Sequence, residues 1–308
     1  MKNLDVSTNL SNEKIFYNSH AELSNDDLLL SRFFPWYVKY ISCMINIVNG
    51  YSDSLSSNFA IKLLSVGIRK KIKSEDQIFY KKGNKQLQIF SKKKFYTYTY
   101  GEGPEIICIH GWCSNGAQWR NHVQKIVDKG YKAVVIDAPA HGTSPGLFLS
   151  IRDYISLLEN VFNERKNICG ILTHSIGSLC GVIALNRSNI NSENFKIVMM
   201  ATFNSCEELL KKFSRCVGIN SIVLKSIKEW IPDYAGNPLE YYTIEKHLPE
   251  INGKVLLVHD NNDFVVPKSE VNLILNKNKK IEFHHTSGLG HLLRGEEVED
   301  VITNFMTH

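Results

Sequence analysis

The 308-residue chain reads as an α/β protein with a mostly parallel central sheet and helices on both faces. Three observations predict this. From residue 105 onward, six short apolar runs alternate with helix-length segments. The runs are continuously apolar, as in strands covered on both faces. At Ser175 an apolar run stops abruptly and a small-residue helix pattern begins, which reads as strand, sharp turn and helix with a serine at the apex.

The elements follow in order. Residues 1–27, rich in Ser, Asn and Asp, read as irregular. Residues 28–48 are the most apolar stretch, but Arg32, Pro35 and Lys39 interrupt it. That disfavours a membrane-spanning helix and suits a helix starting near Pro35. Phe59, Leu63, Leu64 and Ile68 predict a second helix from about Ser57, ending in the basic run 69–73. Period-two stretches at 86–90 and 94–100 predict a hairpin. The apolar runs at 105–109, 132–136, 167–172, 196–200, 254–258 and 280–283 predict the remaining strands. Helices are expected over about 118–129, 150–164, 175–187, 268–276 and 296–306.

Between Ala201 and His247 the alternation breaks. Ser205 and Glu208 have capping-box spacing, and Cys206, Leu209, Leu210, Phe213 and Val217 form one apolar stripe that Gly218 ends. A further helix runs from about Ser221 to Trp230 and stops at Pro232. The expected organisation is an N-terminal helical extension over 1–80 and a main domain over 81–308, with a helical lid inserted at about 202–247. The simpler alternative is an excursion that only packs.

Hydrophobic residues at 43% and charged residues at 22% are ordinary for a globular protein. The net charge of +5 is uneven: residues 51–100 carry eleven Lys/Arg against three Asp/Glu, whereas 101–308 carry twenty-one against twenty-three. A solvated basic surface is the plain reading. Aromatic and aliphatic residues beside a polybasic run also fit a weak peripheral membrane contact through 28–73. No nucleic-acid partner is expected. The seven cysteines include no C-x-x-C pair and no regular spacing, so they read as free thiols. With the polar start Met1-Lys2-Asn3-Leu4-Asp5, this predicts a reducing, cytoplasmic setting, with membrane association as the variant.

No cofactor or metal is expected. Gly101-Glu102-Gly103-Pro104 precedes a strand instead of opening a helix, which is wrong for a dinucleotide site. His284 and His285 are adjacent strand residues that point to opposite faces and so do not share a metal.

A serine hydroxyl needs a base to become a nucleophile, and the base needs an orienting acid. Two late loops offer both. One, from Val258 to Pro267, carries Asp260 and Asp263; the other, from Ser287 to Leu293, carries His291. In a parallel sheet both leave the carboxyl ends of their strands, the edge where Ser175 sits. The order serine, acid, histidine is the one a nucleophile elbow uses. Either aspartate could supply the acid.

These residues resemble the alpha/beta-hydrolase superfamily, in particular bacterial serine hydrolases of the esterase and lipase kind. The resemblance runs from about Leu87 to the C-terminus. It is carried by His110-Gly111-Trp112, by Asp137-Ala138-Pro139-Ala140-His141-Gly142-Thr143-Ser144, by the turn at Ser175, by Asp263 ahead of Val266-Pro267, and by Gly290-His291. It implies that Ser175 is the nucleophile and His291 the general base. Asp263, not Asp260, is the orienting acid, because the family places it three residues before the Val-Pro step. The backbone amides of Trp112 and Ile176 form the oxyanion hole.

The implied activity is hydrolysis of a carboxylic ester or thioester, a small-molecule acyl substrate, through an acyl-enzyme. Acyl transfer, carbon–carbon cleavage or perhydrolysis on the same triad are the alternatives, and a non-catalytic binding protein is a third class. Two positions depart from the family pattern: Thr173 and Ala140 stand where glycine is usual. His110 reads as structural, and His174 as packing beside the nucleophile.

Overall fold

The computed structural model describes residues 24–308 except Phe33, Lys70 and Lys279. Most of the stretch expected to be irregular, residues 1–23, lies outside the described residues.

Eight strands form one sheet: β1 (Asn84–Phe90), β2 (Lys93–Tyr100), β3 (Glu105–Ile109), β4 (Lys132–Asp137), β5 (Ile168–His174), β6 (Lys196–Met200), β7 (Lys254–Asp260) and β8 (Glu282–Thr286). Their order is β1-β2-β4-β3-β5-β6-β7-β8. The first two pairings are antiparallel and every later one is parallel. Ser91 and Lys92 both take positive φ, which is what a two-residue hairpin turn between right-twisted strands requires. Strands β3 to β6 are rich in Ile and Val and bury nearly every residue, so the continuous apolar runs mark the middle of the sheet. Strand β3 lies between β4 and β5, so the chain reverses direction across the sheet there. The loops after β3 and β5 therefore face one another at the carboxyl edge, where open α/β sheets place their ligands.

By its internal contacts the chain divides into two compact units. The sheet unit comprises Ser65–Cys206 and Glu240–His308; the helical unit comprises the chain up to Leu64 together with Glu207–Leu239. In the helical unit, α1 (Asn25–Ser31), α2 (Tyr37–Asn49) and α3 (Asp53–Leu64) join α8 (Cys206–Val217) and α9 (Ser221–Ala235). Polar contacts tie the two chain segments together. Arg215 Nε donates to Asp27 Oδ2 at 3.0 Å, Asn46 donates to the Gly218 carbonyl at 2.9 Å, and the Asn220 amide donates back to Asn46 at 3.1 Å.

The sheet unit holds α4 (Ser74–Lys82), α5 (Arg120–Asp128), α6 (Ile151–Asn163), α7 (Ile176–Arg187), α10 (Ile244–His247), α11 (Lys268–Lys277) and α12 (Glu296–Thr307).

Three local expectations are corrected. Part of the stretch expected to be irregular is helix α1, whose start the Ser24 hydroxyl caps by accepting from the Asp27 amide. Helix α4 stands in the basic region where no element was expected. Helix α9 does not stop at Pro232 but runs on to Ala235 and closes at Gly236, which has φ +80° and donates to the Pro232 carbonyl at 2.8 Å. Proline removes one hydrogen bond, and in the last turn of a helix that loss does not break it.

Candidate active site

Ser175 follows the last residue of β5 and caps α7 with φ +54° and ψ −127°. A non-glycine residue held there stores about 1–3 kcal/mol of backbone strain. Its hydroxyl does not cap the helix it precedes, and the residue is buried at the sheet edge. The strain is over-determined by packing. A Cβ on Gly177 would lie 2.5 Å from the His110 carbonyl, so only glycine lets α7 approach β3 this closely. Thr173, the departure from the family pattern, is accommodated: its hydroxyl donates to the Val198 carbonyl at 2.6 Å and lies 2.8 Å from the Ser178 hydroxyl. The β-branched residue is thereby bonded to the neighbouring strand.

The loop after β7 brings Asp263 to the ring of His291. His291 Nδ1 lies 2.8 Å from Asp263 Oδ2 in a site where the carboxylate is fully buried. The other oxygen, Oδ1, accepts from the amides of Val265 at 2.8 Å and Val266 at 3.0 Å. Burial works against the charged form, but the bond and charge of His291 and the two amides outweigh it and hold the carboxyl below its usual range. His259 lies alongside, with Nδ1 4.0 Å from Asp263 Oδ2, and burial depresses its pKa.

Asp260 does different work. Its carboxylate accepts from Thr286 Oγ1 at 2.6 Å and from the amides of Asn262 at 2.9 Å, Leu289 at 3.0 Å and Gly288 at 3.3 Å. It thus fastens the loop that carries His291 to the end of β7. Burial again opposes ionisation, but these bonds take the carboxyl down to about 2. The place of Asp260 at a strand end leads to the turn-capping bond with the Asn262 amide; sequence reasoning missed only the bonds to Thr286, Gly288 and Leu289 that reach the His291 loop. The signal for the cap was an aspartate at a strand end ahead of Asn261-Asn262, a turn-forming pair.

The His291 loop is also held to the serine turn. His174 Nε2 donates to the His291 carbonyl at 2.8 Å, and the two rings stand 4.9 Å apart. Burial pushes the His174 pKa down to about 3, so the ring is a neutral donor. Among the described residues Ser175 and His291 are neighbours through this contact, not through a hydrogen bond of their own side chains. Such bonds commonly tighten only when substrate is bound.

The two expected oxyanion donors belong to segments that border the serine turn. The Ile176 amide is the first of α7 and has no acceptor inside the helix. Trp112 follows Gly111, where an added Cβ would stand 3.0 Å from both Ser175 Cβ and His174 Nδ1, so this backbone lies directly against the serine turn. His110 anchors the loop: Nδ1 donates to the Gly111 carbonyl at 2.7 Å and Nε2 accepts from the Ala138 amide at 3.1 Å. Burial lowers its pKa to about 4, which keeps it neutral and structural.

A cleft of about 590 Å³ in the sheet unit, lined by Lys71, Arg120, His122 and Leu293 among others, reaches His174 but neither Ser175 nor His291. Among the described residues no group of three or more His, Cys, Asp or Glu side chains is placed to hold a metal ion.

Known proteins share this architecture. An esterase from Pyrococcus furiosus superposes with a TM-score of 0.56, covering 78% of this chain and 96% of that one at 16% identity, a likeness of fold. The pimeloyl-[acyl-carrier protein] methyl ester esterase of Aeromonas salmonicida is 31% identical over 80 residues, 26% of this chain and 31% of that protein. The non-heme chloroperoxidase of Kitasatospora aureofaciens is 38% identical over 45 residues, 15% of this chain and 16% of that one. The chain thus spans a third or less of the length of these two relatives. The sequence model of the alpha/beta hydrolase family matches residues 106–267, just over half of the chain, from β3 through the loop that carries Asp263. With the eight-stranded sheet and the serine turn after β5, this match establishes that the chain belongs to the alpha/beta hydrolase family.

Proposed function

We propose that the protein hydrolyses a carboxylic ester or thioester of a small acyl substrate through an acyl-enzyme on Ser175, with His291 as general base and acid and Asp263 as its orienting partner. The observation that carries this reading is the pairing of His291 Nδ1 with the buried Asp263 carboxylate at 2.8 Å, on a loop whose backbone is bonded to His174, the residue before Ser175. With its proton on Nδ1 and donated to Asp263, the imidazole presents a bare Nε2 to the serine hydroxyl.

The steps follow from these positions. Ser175 Oγ attacks the carbonyl carbon as His291 Nε2 takes its proton. The oxyanion accepts from the amides of Trp112 and Ile176. Collapse expels the alcohol or thiol, which receives the proton back from His291. Water then repeats the sequence on the acyl-enzyme and releases the acid. Each amide donor contributes about a hundredfold or more to such a step. The helical insertion after β6 is the segment we assign to substrate selection, as a lid.

The chloroperoxidase relative supports a second reading, in which hydrogen peroxide replaces water at the deacylation step. A fluorophosphonate probe tests the nucleophile: it labels the wild type and not Ser175→Ala. Equal labelling of both overturns the assignment. A series of acyl esters of increasing chain length, run with water alone and with added peroxide, then separates the two readings.

A further inference from the structure

Helix α2 carries its polarity inside out. On the side packed within the helical unit stand Val38, Ser42, Ile45 and Asn49. Two of these four are polar. Ser42 bonds back to the Val38 carbonyl at 3.0 Å, and Asn49 donates to the Ser226 hydroxyl at 3.3 Å and to Asp53. The opposite side presents Trp36, Tyr37, Tyr40, Met44, Ile47 and Tyr51 to the exterior, with Trp36 75%, Met44 60% and Tyr51 88% exposed. Spacings of three, four and seven residues place these side chains on one face. A helix at the edge of a water-soluble assembly normally turns its apolar side inward. Here the polar residues are spent on internal hydrogen bonds and the large apolar ones face out, which is the arrangement for a non-aqueous neighbour.

The chemistry of the face selects the neighbour. Three of its six residues are tyrosine and one is tryptophan. These rings have an apolar body and a hydrogen-bonding tip, and they settle at the headgroup level of a bilayer. Trp36 packs edge-on against both Tyr37 and Tyr40, with centroids 6.0 and 5.6 Å apart, so the aromatic end of the face is a continuous cluster. From Arg32 to Ser52 the charged residues are Arg32 and Lys39, both cationic. No carboxylate in this stretch opposes an anionic lipid surface. Among the described residues no helix is long and apolar enough to cross a membrane, so the contact is one of a helix lying in the interface. We infer that the outer face of α2 docks the protein on a lipid surface, with its aromatic and aliphatic side chains inserted at headgroup depth.

Co-sedimentation of the full chain with phosphatidylcholine vesicles, and with vesicles containing an anionic lipid, tests this. Binding to both is expected, stronger to the anionic set and only partly reversed by salt. Replacing Trp36, Tyr40, Met44 and Ile47 together by serine is expected to lower the partition coefficient by about a hundredfold or more, since each buried apolar side chain contributes roughly tenfold. Thermal unfolding and hydrolysis of a water-soluble ester by this variant report that the fold is intact.

Should that variant not fold, brominated lipids supply the second measurement. They are expected to quench tryptophan emission of the wild type and to lose most of that quenching in Trp36→Phe. Absence of vesicle binding by the wild type, or equal binding by the folded variant, overturns the inference. So does a light-scattering result in which the wild type is a dimer that the variant converts to monomer without any vesicle binding, because the face then serves a second copy of the chain.

Discussion

The ends of β4 and β7 are built alike and serve different ends. Each strand finishes on a buried aspartate that gathers donors from its own loop and from neighbouring segments. Asp137 accepts from the amides of Gly116 at 2.6 Å and Thr143 at 2.7 Å, from the Thr143 hydroxyl at 2.8 Å and from Tyr80 at 2.9 Å. Asp260 accepts from Thr286 and from three amides of the loops beyond it. At β4 burial outweighs the bonds and the Asp137 carboxyl is pushed up; at β7 the bonds outweigh burial and Asp260 falls to about 2. Only the β7 loop has a further carboxylate, Asp263, and only that one meets an imidazole. Collecting amides is architecture. The contact with a histidine that neighbours a strained serine is what distinguishes the edge we propose as reactive from one that only folds.

The largest expected effect falls on Asp263. In Asp263→Asn the amide oxygen can keep the bonds from Val265 and Val266, while His291 loses its anionic partner and the tautomer that exposes Nε2. Turnover of a soluble ester is expected to drop about ten-thousandfold with little change in melting temperature. A variant that instead melts well below wild type while retaining its turnover would place Asp263 in the architectural class with Asp137.

Next come the two strand-end aspartates, whose loss is felt in stability. Asp137→Asn and Asp260→Asn each leave buried donors facing an amide, at about 1–3 kcal/mol per unsatisfied group. Their pH dependences carry opposite signs. Asp260 has a folded pKa below its unfolded value near 4, so its contribution is present above pH 4 and is lost as pH falls toward 2. Asp137 has a folded pKa above the unfolded one, so its contribution grows as pH falls through that raised value. Denaturant titrations of wild type and both variants from neutral pH downward are expected to show the gap to Asp260→Asn closing and the gap to Asp137→Asn widening. Two gaps that move in the same direction would erase the electrostatic difference between the two ends. Asp260→Asn also loosens the His291 loop and is expected to lower turnover, but far less than Asp263→Asn.

How much of this was legible differs between the two units. In the sheet unit, strand and helix positions follow from runs such as Ile106 to Ile109 and Val134 to Ile136, because a buried parallel strand admits little besides branched apolar residues. The pairing of Asp263 with His291 near Ser175 was expected from their order in the chain and from a sheet edge that collects loops. Between Asp260 and Asp263, the same side chain three positions apart, the residues alone left the choice open and the family resemblance pointed to Asp263, the one that meets His291; the bonds of Asp260 to the loop beyond β8 depend on the path of that loop and were not legible.

The helical unit was far less readable. The N-terminal helices and the insertion look like two separate features, joined only by long-range contacts such as Arg215 with Asp27 and Asn46 with Gly218. No local pattern encodes those. Helix α2 also inverts the rule by which a buried face is found, since Ser42 and Asn49 point inward and Met44 and Ile47 outward.

The smallest expected effect returns to the β4 loop and asks whether its strain matters to the chemistry. Ala140 stands at φ +65° where the family pattern has glycine. A left-handed conformation costs an ordinary L-residue about 1–2 kcal/mol, so Ala140→Gly relieves it. Two terms oppose that gain. Glycine widens the unfolded ensemble, at about 0.4–1 kcal/mol. The methyl group also packs against Gly67, where an added Cβ would stand 2.8 Å from Ala140 Cβ, and removing it leaves a small gap. The net is a gain of less than about 1 kcal/mol, read as a rise in melting temperature of roughly 2 °C or less. Turnover is expected to stay at the wild-type level, because the strain at Ala140 supports a fold, whereas the strain at Ser175 presents a hydroxyl. An Ala140→Gly variant with turnover reduced as far as that of Asp260→Asn would show that the β4 loop also positions the reacting groups, and the division between the two strand ends would have to be abandoned.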